Sequence, residues 1–203
     1  MTDGFAQARA RTLEALSRIF DGDVDLLVEL RSDEDALREL ATSLGVDPEP
    51  LVREASRTEL RRSYDSLFAV PGRRYVPPYA SSHLGRAPED APPSPSAFAR
   101  TDGGRLGGEP AQRARAAYAR FGFTPTRGDG MPDHVAAQLE FAARVDAAVE
   151  TTDDEHARDE AFAILGWLDG FARTVERRDD LGVYTALASL AAAVTDRGRT
   201  RAD

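Results

Sequence analysis

Pro132-Asp133-His134-Val135-Ala136-Ala137-Gln138-Leu139-Glu140-Phe141-Ala142-Ala143-Arg144-Val145-Asp146-Ala147-Ala148-Val149 is the stretch on which the fold reading turns. Val135, Leu139, Ala142, Val145 and Val149 recur with a period near 3.6, and proline suits a first helical turn, where its missing N–H is not needed. The spacing predicts a strongly amphipathic helix opening at Pro132. Asp133 would sit in its first turn, where free backbone donors and the helix dipole favour a carboxylate. His134, Gln138 and Phe141 would form a mixed polar and aromatic stripe beside the apolar one, as at the rim of a groove.

The same period continues on both sides. Toward the C-terminus, one long helix is expected over 154–178, apolar over a wide arc through Phe162, Leu165, Trp167, Leu168, Phe171 and Val175 and therefore the central, most buried element. Another is expected over 180–195. Toward the N-terminus, helices are expected over 5–20, ended by Gly22, and over 24–31. Ser32 would cap a third over 33–44, closed by Gly45. Pro48 would open a helix running through Leu51, Val52, Ala55, Leu60, Tyr64, Leu67 and Phe68 to the stop at Pro71-Gly72. Helical pattern resumes over 109–121. No stretch keeps a period of two and no repeat emerges. The expected fold is all-α, a single-domain helical bundle over 1–203 with about eight to ten helices. One long irregular region, 71–108, interrupts it, and its 87–108 part is expected to be a flexible loop.

Composition narrows the function. With 203 residues, 41% hydrophobic and 30% charged, the chain reads as a soluble globular protein. A formal net charge of -9 argues against nucleic acid and anionic membrane as partners; a cationic partner would suit it, and an acidic surface kept solvated accounts for it more simply. Every basic residue outside the histidines is arginine. There is no cysteine, which removes disulfides, thiol catalysis and iron–sulfur ligation. No apolar run is long enough to span a bilayer, and the N-terminus lacks an export signal, so a cytoplasmic location is expected.

Motifs of familiar chemistry fail on inspection. Asp21-Gly22-Asp23-Val24-Asp25 opens like a calcium loop but has Leu26 where the turn glycine belongs. Gly103-Gly104-Arg105-Leu106-Gly107-Gly108 lacks the Lys-Ser/Thr of a phosphate loop. His83, Asp133 and His134 could serve a metal-dependent hydrolase if the fold gathered them, yet no helix carries a ligand-pair spacing. What remains is Val76-Pro77-Pro78-Tyr79-Ala80-Ser81-Ser82-His83, a turn rich in proline, aromatic, hydroxyl and imidazole groups, and the Pro132-Asp133-His134 step.

Taken in order, Tyr64-x-x-Leu67-Phe68, Pro71-Gly72, Val76-Pro77-Pro78-Tyr79-x-Ser81-x-His83, Tyr118-x-x-Phe121-Gly122-Phe123, Pro132-Asp133-His134-x-x-x-Gln138-Leu139-Glu140-Phe141 and Trp167-x-x-x-Phe171 resemble the TorD/DmsD/NarJ family of redox-enzyme maturation chaperones. The resemblance implies an all-helical cytoplasmic chaperone without enzymatic activity or cofactor. It would bind a molybdenum-containing oxidoreductase subunit or its twin-arginine leader peptide, assisting cofactor insertion and delaying export. An assembly factor of the nitrate-reductase type, holding the mature catalytic subunit, is the alternative. The implied peptide site comprises Tyr64, Leu67, Phe68, Pro78, Tyr79, Ser81, His83, Asp133, His134 and Gln138. Ala80 departs from the acidic residue that relatives often carry after the aromatic. A twin-arginine leader needs carboxylates beside an apolar groove, and Asp133, with Glu140 or Asp65, is the expected source. A monomer or homodimer is expected, since a long loop can act as a hinge for domain swapping.

Overall fold

The computed structural model describes residues 2–84, 108–148 and 152–199, the side chains of 2–5, 152–157 and 199 excepted. All of the expected 87–108 loop but Gly108, together with Val149 and the side chains of Phe5 and His156, lies outside the described residues. Among the described residues the chain is helical, without a strand. Its helices are α1 (Thr2–Phe20), α2 (Val24–Leu30), α3 (Glu34–Leu44), α4 (Glu49–Val52), α5 (Arg57–Tyr64), α6 (Ser81–Leu84), α7 (Glu109–Arg120), α8 (Val135–Ala148), α9 (Thr152–Ala163), α10 (Leu168–Glu176) and α11 (Val183–Arg199). A π-helical turn over Asp65–Ala69 extends α5. None of these helices is long and apolar enough to cross a membrane.

Besides the start of α8 at Val135 instead of Pro132, four boundaries differ from the periodicity, each for a local reason. Asp33, not Ser32, caps α3, accepting from the Ala36 N–H at 3.1 Å, while the Ser32 hydroxyl turns back to the Glu29 carbonyl at 2.6 Å. The single helix expected from Pro48 is two. A capping box at Ser56 restarts it, with the Glu59 carboxylate receiving the Ser56 N–H at 2.8 Å and the Ser56 hydroxyl receiving the Glu59 N–H at 3.2 Å. Arg31 holds the break open by donating to the Leu51 and Ala55 carbonyls at 2.8 and 3.3 Å. The long helix expected over 154–178 also divides, through tight turns at 164–167 that leave Trp167 facing α8. The last helix starts late, at Val183, because the Asp179 carboxylate collects the Leu181 and Thr185 N–H groups at 3.1 and 2.9 Å.

The most enclosed helix is α8 rather than the segment around Trp167. Only Arg144, Ala147 and Ala148 are exposed along it. Its alanines let neighbours approach on several sides. One side joins the main cluster, where Leu13, Leu16, Ile19 and Phe20 of α1 meet Leu139, Phe171 and Tyr184. The other carries Phe141 and Val145 into a smaller cluster with Tyr118 and Ala114 of α7 and Ala161 of α9. The buried Arg9–Asp146 ion pair ties α1 to α8, with Arg9 Nε donating to Asp146 Oδ2 at 2.8 Å. The Arg9 guanidinium also lies 5.5 Å from the Phe162 ring centre. Removing either partner of such a pair costs about 3–5 kcal/mol, because the other charge is left uncompensated.

Candidate functional site

The two polar segments that stand out in the sequence lie side by side. Val135 N–H donates to the Pro78 carbonyl and Ala80 N–H to the Asp133 carbonyl, both at 2.8 Å. These bonds form an antiparallel bridge between Tyr79 and His134. Pro77 and Pro78 bring no N–H of their own, so the segment docks on the start of α8 through the Pro78 carbonyl and the Ala80 N–H. The segment is pinned upstream as well, where Val76 N–H donates to the Leu67 carbonyl in the middle of the π turn, at 2.7 Å.

Asp133 precedes α8 rather than lying in its first turn. Its side chain is fully buried, and Oδ2 accepts the Ser81 N–H at 3.1 Å, which caps α6 from across the junction. Asp133 Oδ1 and the Ser81 hydroxyl are buried without a hydrogen-bond partner among the described residues. His134 caps α8 itself, with Nδ1 accepting the Ala136 N–H at 3.1 Å. Its ring meets Tyr79 edge-on, centroids 5.2 Å apart. Behind it stands Gly128 at φ +77, where an added Cβ would fall 2.7 Å from His134 Cβ. Burial pushes the His134 imidazole down to about 4, against the opposing charges of Asp129 and Asp133.

The aromatic motifs close the junction. His83 Nε2–H donates to the Pro77 carbonyl at 2.9 Å, and its ring stacks on Trp167 at 5.2 Å and 25°. Burial lowers its pKa too. Trp167 Nε1–H donates to Gln138 Oε1 at 2.7 Å, and the Tyr118 hydroxyl donates to the Pro132 carbonyl at 2.7 Å. Tyr64 reaches the Phe20 carbonyl at 3.0 Å, while Phe68 packs among Phe20, Tyr64, Phe171 and Tyr184. Every motif piece from Tyr64 to Phe171 except Pro71-Gly72 therefore contributes to one connected junction or the core beneath it.

Of the ten expected site residues, Tyr64, Leu67, Phe68, Pro78, Ser81, Asp133, His134 and Gln138 are buried, and Tyr79 and His83 are partly exposed. Gln138 and Phe141, 1% and 0% exposed, face inward rather than forming a rim. Glu140 is occupied, accepting from the Thr126 N–H at 2.9 Å and its hydroxyl at 2.5 Å. Asp65 is half-buried beside Tyr64. The acid that sequence reasoning missed is Asp129, exposed and held at φ 52 between two glycines. Its charge acts on both Tyr79 and His134: burial first, then Asp129 and Asp133, push the Tyr79 phenol up. The Gly-Asp-Gly turn just before Met131 was its available signal. His83, Asp133 and His134 do not gather as metal ligands, and no group of three or more His, Asp or Glu among the described residues could hold an ion.

Residues 29–175 match the family model for the nitrate reductase delta subunit. The chain is similar to the chaperone protein TorD of Photobacterium profundum, 27% identical over 148 residues, covering 68% of this chain and 61% of the relative. It is also similar to the chaperone protein TorD of Vibrio cholerae, 29% identical over 153 residues, covering 70% and 61%. The match thus spans about 61% of the length of these relatives. No solved structure matches.

Proposed function

The chain belongs to the nitrate reductase delta subunit family, and from that premise we propose that it is a maturation chaperone rather than an enzyme. In this reading it holds a molybdenum-containing oxidoreductase subunit through the twin-arginine leader peptide, in the cytoplasm and before export. The observation that carries the reading is the meeting of the Pro-Pro-Tyr turn with the Asp-His step, which leaves Tyr79 and His83 as its partly exposed members with Asp129 charged beside Tyr79.

The guanidinium pair of the leader would be met by Asp129 and Asp65, since planar guanidinium binds carboxylate with two parallel hydrogen bonds. Its apolar part would pack on the Tyr79 and His83 rings. Tyr64, Leu67, Phe68, Pro78, Ser81, Asp133, His134 and Gln138 act as positioning residues that hold this face in shape. Cofactor loading of the client would release the leader by favouring a state in which it binds less tightly.

The test is a titration of the full chain with a synthetic leader peptide carrying the arginine pair and its following apolar segment. Saturable binding is expected, weakened at least about tenfold by replacing both arginines with lysine or by Tyr79→Ala or Asp129→Ala. Binding unchanged in both protein variants would sink the site. The family description favours one second reading, an assembly factor acting on the mature catalytic subunit. Recovery of a leaderless client as efficiently as the full-length one would select it.

A further inference from the structure

The turn that carries Asp129 is held from outside rather than from within. Gly128, Asp129 and Gly130 follow one another at φ 77, 52 and 73, so an L residue stands between two glycines in the left-handed region that side chains disfavour. Within the turn, Met131 N–H donates to the Gly128 carbonyl at 2.9 Å. The three N–H groups that lead into it are all spent on carboxylates of the flanking helices. Thr126 and Arg127 N–H donate to Glu140 Oε2 of α8 at 2.9 and 3.3 Å, and Gly128 N–H donates to Asp21 Oδ1, just past α1, at 2.9 Å.

Arg127 makes this arrangement tolerable. Its guanidinium donates to Glu14 through both Nη atoms, at 3.2 and 2.6 Å, and to the Ser17 hydroxyl at 3.2 Å, and it lies 3.8 Å from Glu140. One half-buried side chain thus spans α1 and α8. Without its charge, Glu14, Glu140 and Asp21 would be left as neighbouring carboxylates with no cation between them. Burial pushes the Asp21 carboxyl up, and the Gly128 N–H and Arg127 oppose it. The far side of the turn is the leader face: Gly128 lies against His134, whose ring meets Tyr79 edge-on at 5.2 Å. Asp129 follows directly on Gly128, so a drift of the turn moves its carboxylate relative to Tyr79.

Resting on the leader-binding reading, we propose that Arg127 is a positioning residue of the leader site: by latching the 126–131 turn to α1 and α8 it fixes Asp129 where a leader guanidinium is received. A two-pronged bond between carboxylate and guanidinium demands orientation as well as closeness, and a latched turn supplies both. The latch also gives the effect a sign that simple charge does not. Arg127 is a cation near a site for a cation, so by charge alone its removal should tighten leader binding. As a latch, its removal weakens it.

The test is a titration of the full chain with the synthetic leader peptide, in a cycle of Arg127→Ala, Asp129→Ala and the double variant. Arg127→Ala is expected to weaken binding at least about fivefold in the otherwise unchanged chain, and to alter it by less than about twofold once Asp129→Ala is present. A residue that only supports the fold would weaken both alike. Glu14→Gln, which keeps Arg127 and removes its two-pronged partner, should repeat the pattern, and it replaces Arg127→Ala in the cycle if circular dichroism shows that variant unfolded. Binding that Asp129→Ala weakens but Arg127→Ala leaves unchanged or tightens would overturn the latch and leave the leader reading standing, as would equal weakening on both backgrounds. No binding by the wild-type chain, or binding indifferent to Asp129→Ala, would overturn both.

Discussion

His134 does two jobs that conflict with carrying a charge. Its Nδ1 lone pair caps α8 through the Ala136 N–H, and its ring is packed between Gly128 and Tyr79. Protonation removes the lone pair and buries a cation. The unfolded chain takes up this proton below about pH 6.5, whereas the folded chain resists until about 4. The stability supplied by the neutral ring is therefore complete above pH 6.5 and lost as pH falls toward 4, by roughly 3 kcal/mol in all. His83, also lowered, acts in the same direction. In His134→Asn the amide oxygen can still cap the helix, so the urea midpoint should fall less steeply between pH 6.5 and 4 than in the wild-type chain. Parallel pH slopes would show that His134 is not the group responsible. The residue's peculiarity is legible in the sequence, because a histidine behind Pro-Asp at a helix start has no packing excuse. Its partners are not, because backbone donors such as Ala136 and Ser81 leave no mark in the side-chain pattern.

At the scale of elements, apolar periodicity located the helices and misjudged where they stop. The stripe from Leu51 to Phe68 keeps helical spacing across a real break, and the competing signal was present in Ser56-x-x-Glu59. Propensity for a new start, together with Arg31 gathering the freed carbonyls, outweighs continuity of the stripe. Ser56→Ala should cost about 1 kcal/mol. Because the two bonds of the box are reciprocal, adding Glu59→Ala should cost less than it does alone, a coupling readable in a thermal double-mutant cycle. Strict additivity would mean the box does not start α5. The division between α9 and α10 had a weaker signal, one Gly166 without proline or cap. It is set by tertiary contact, since the turn delivers Trp167 to Gln138 and the His83 ring. The enclosure of α8 was hidden for a related reason: its alanines carry little apolar weight in the sequence pattern but permit crowding from several sides.

For the whole molecule, the motifs are better understood as a clasp than as a lining. Tyr64, Leu67, Phe68, Asp133 and Gln138 are spent on joining the π turn, the Pro-Pro-Tyr segment, α8 and α10, and what they offer outward is the face around Tyr79, His83 and Asp129. Sequence order alone showed which residues belong together and left open which of them face solvent, because burial depends on segments far apart in the chain. The surface that results at the clasp is an acidic aromatic face.

The central claim, that this chain escorts a molybdenum-containing oxidoreductase, is tested most directly by recovering the tagged chain from its native host and identifying what comes with it. A molybdenum-containing oxidoreductase subunit is expected at near one-to-one recovery. Its yield should rise when molybdenum is replaced by tungsten in the medium, and it should be lost in Tyr79→Ala/Asp129→Ala. Recovery without any such subunit, or with one whose amount ignores both the metal and the variant, would contradict it.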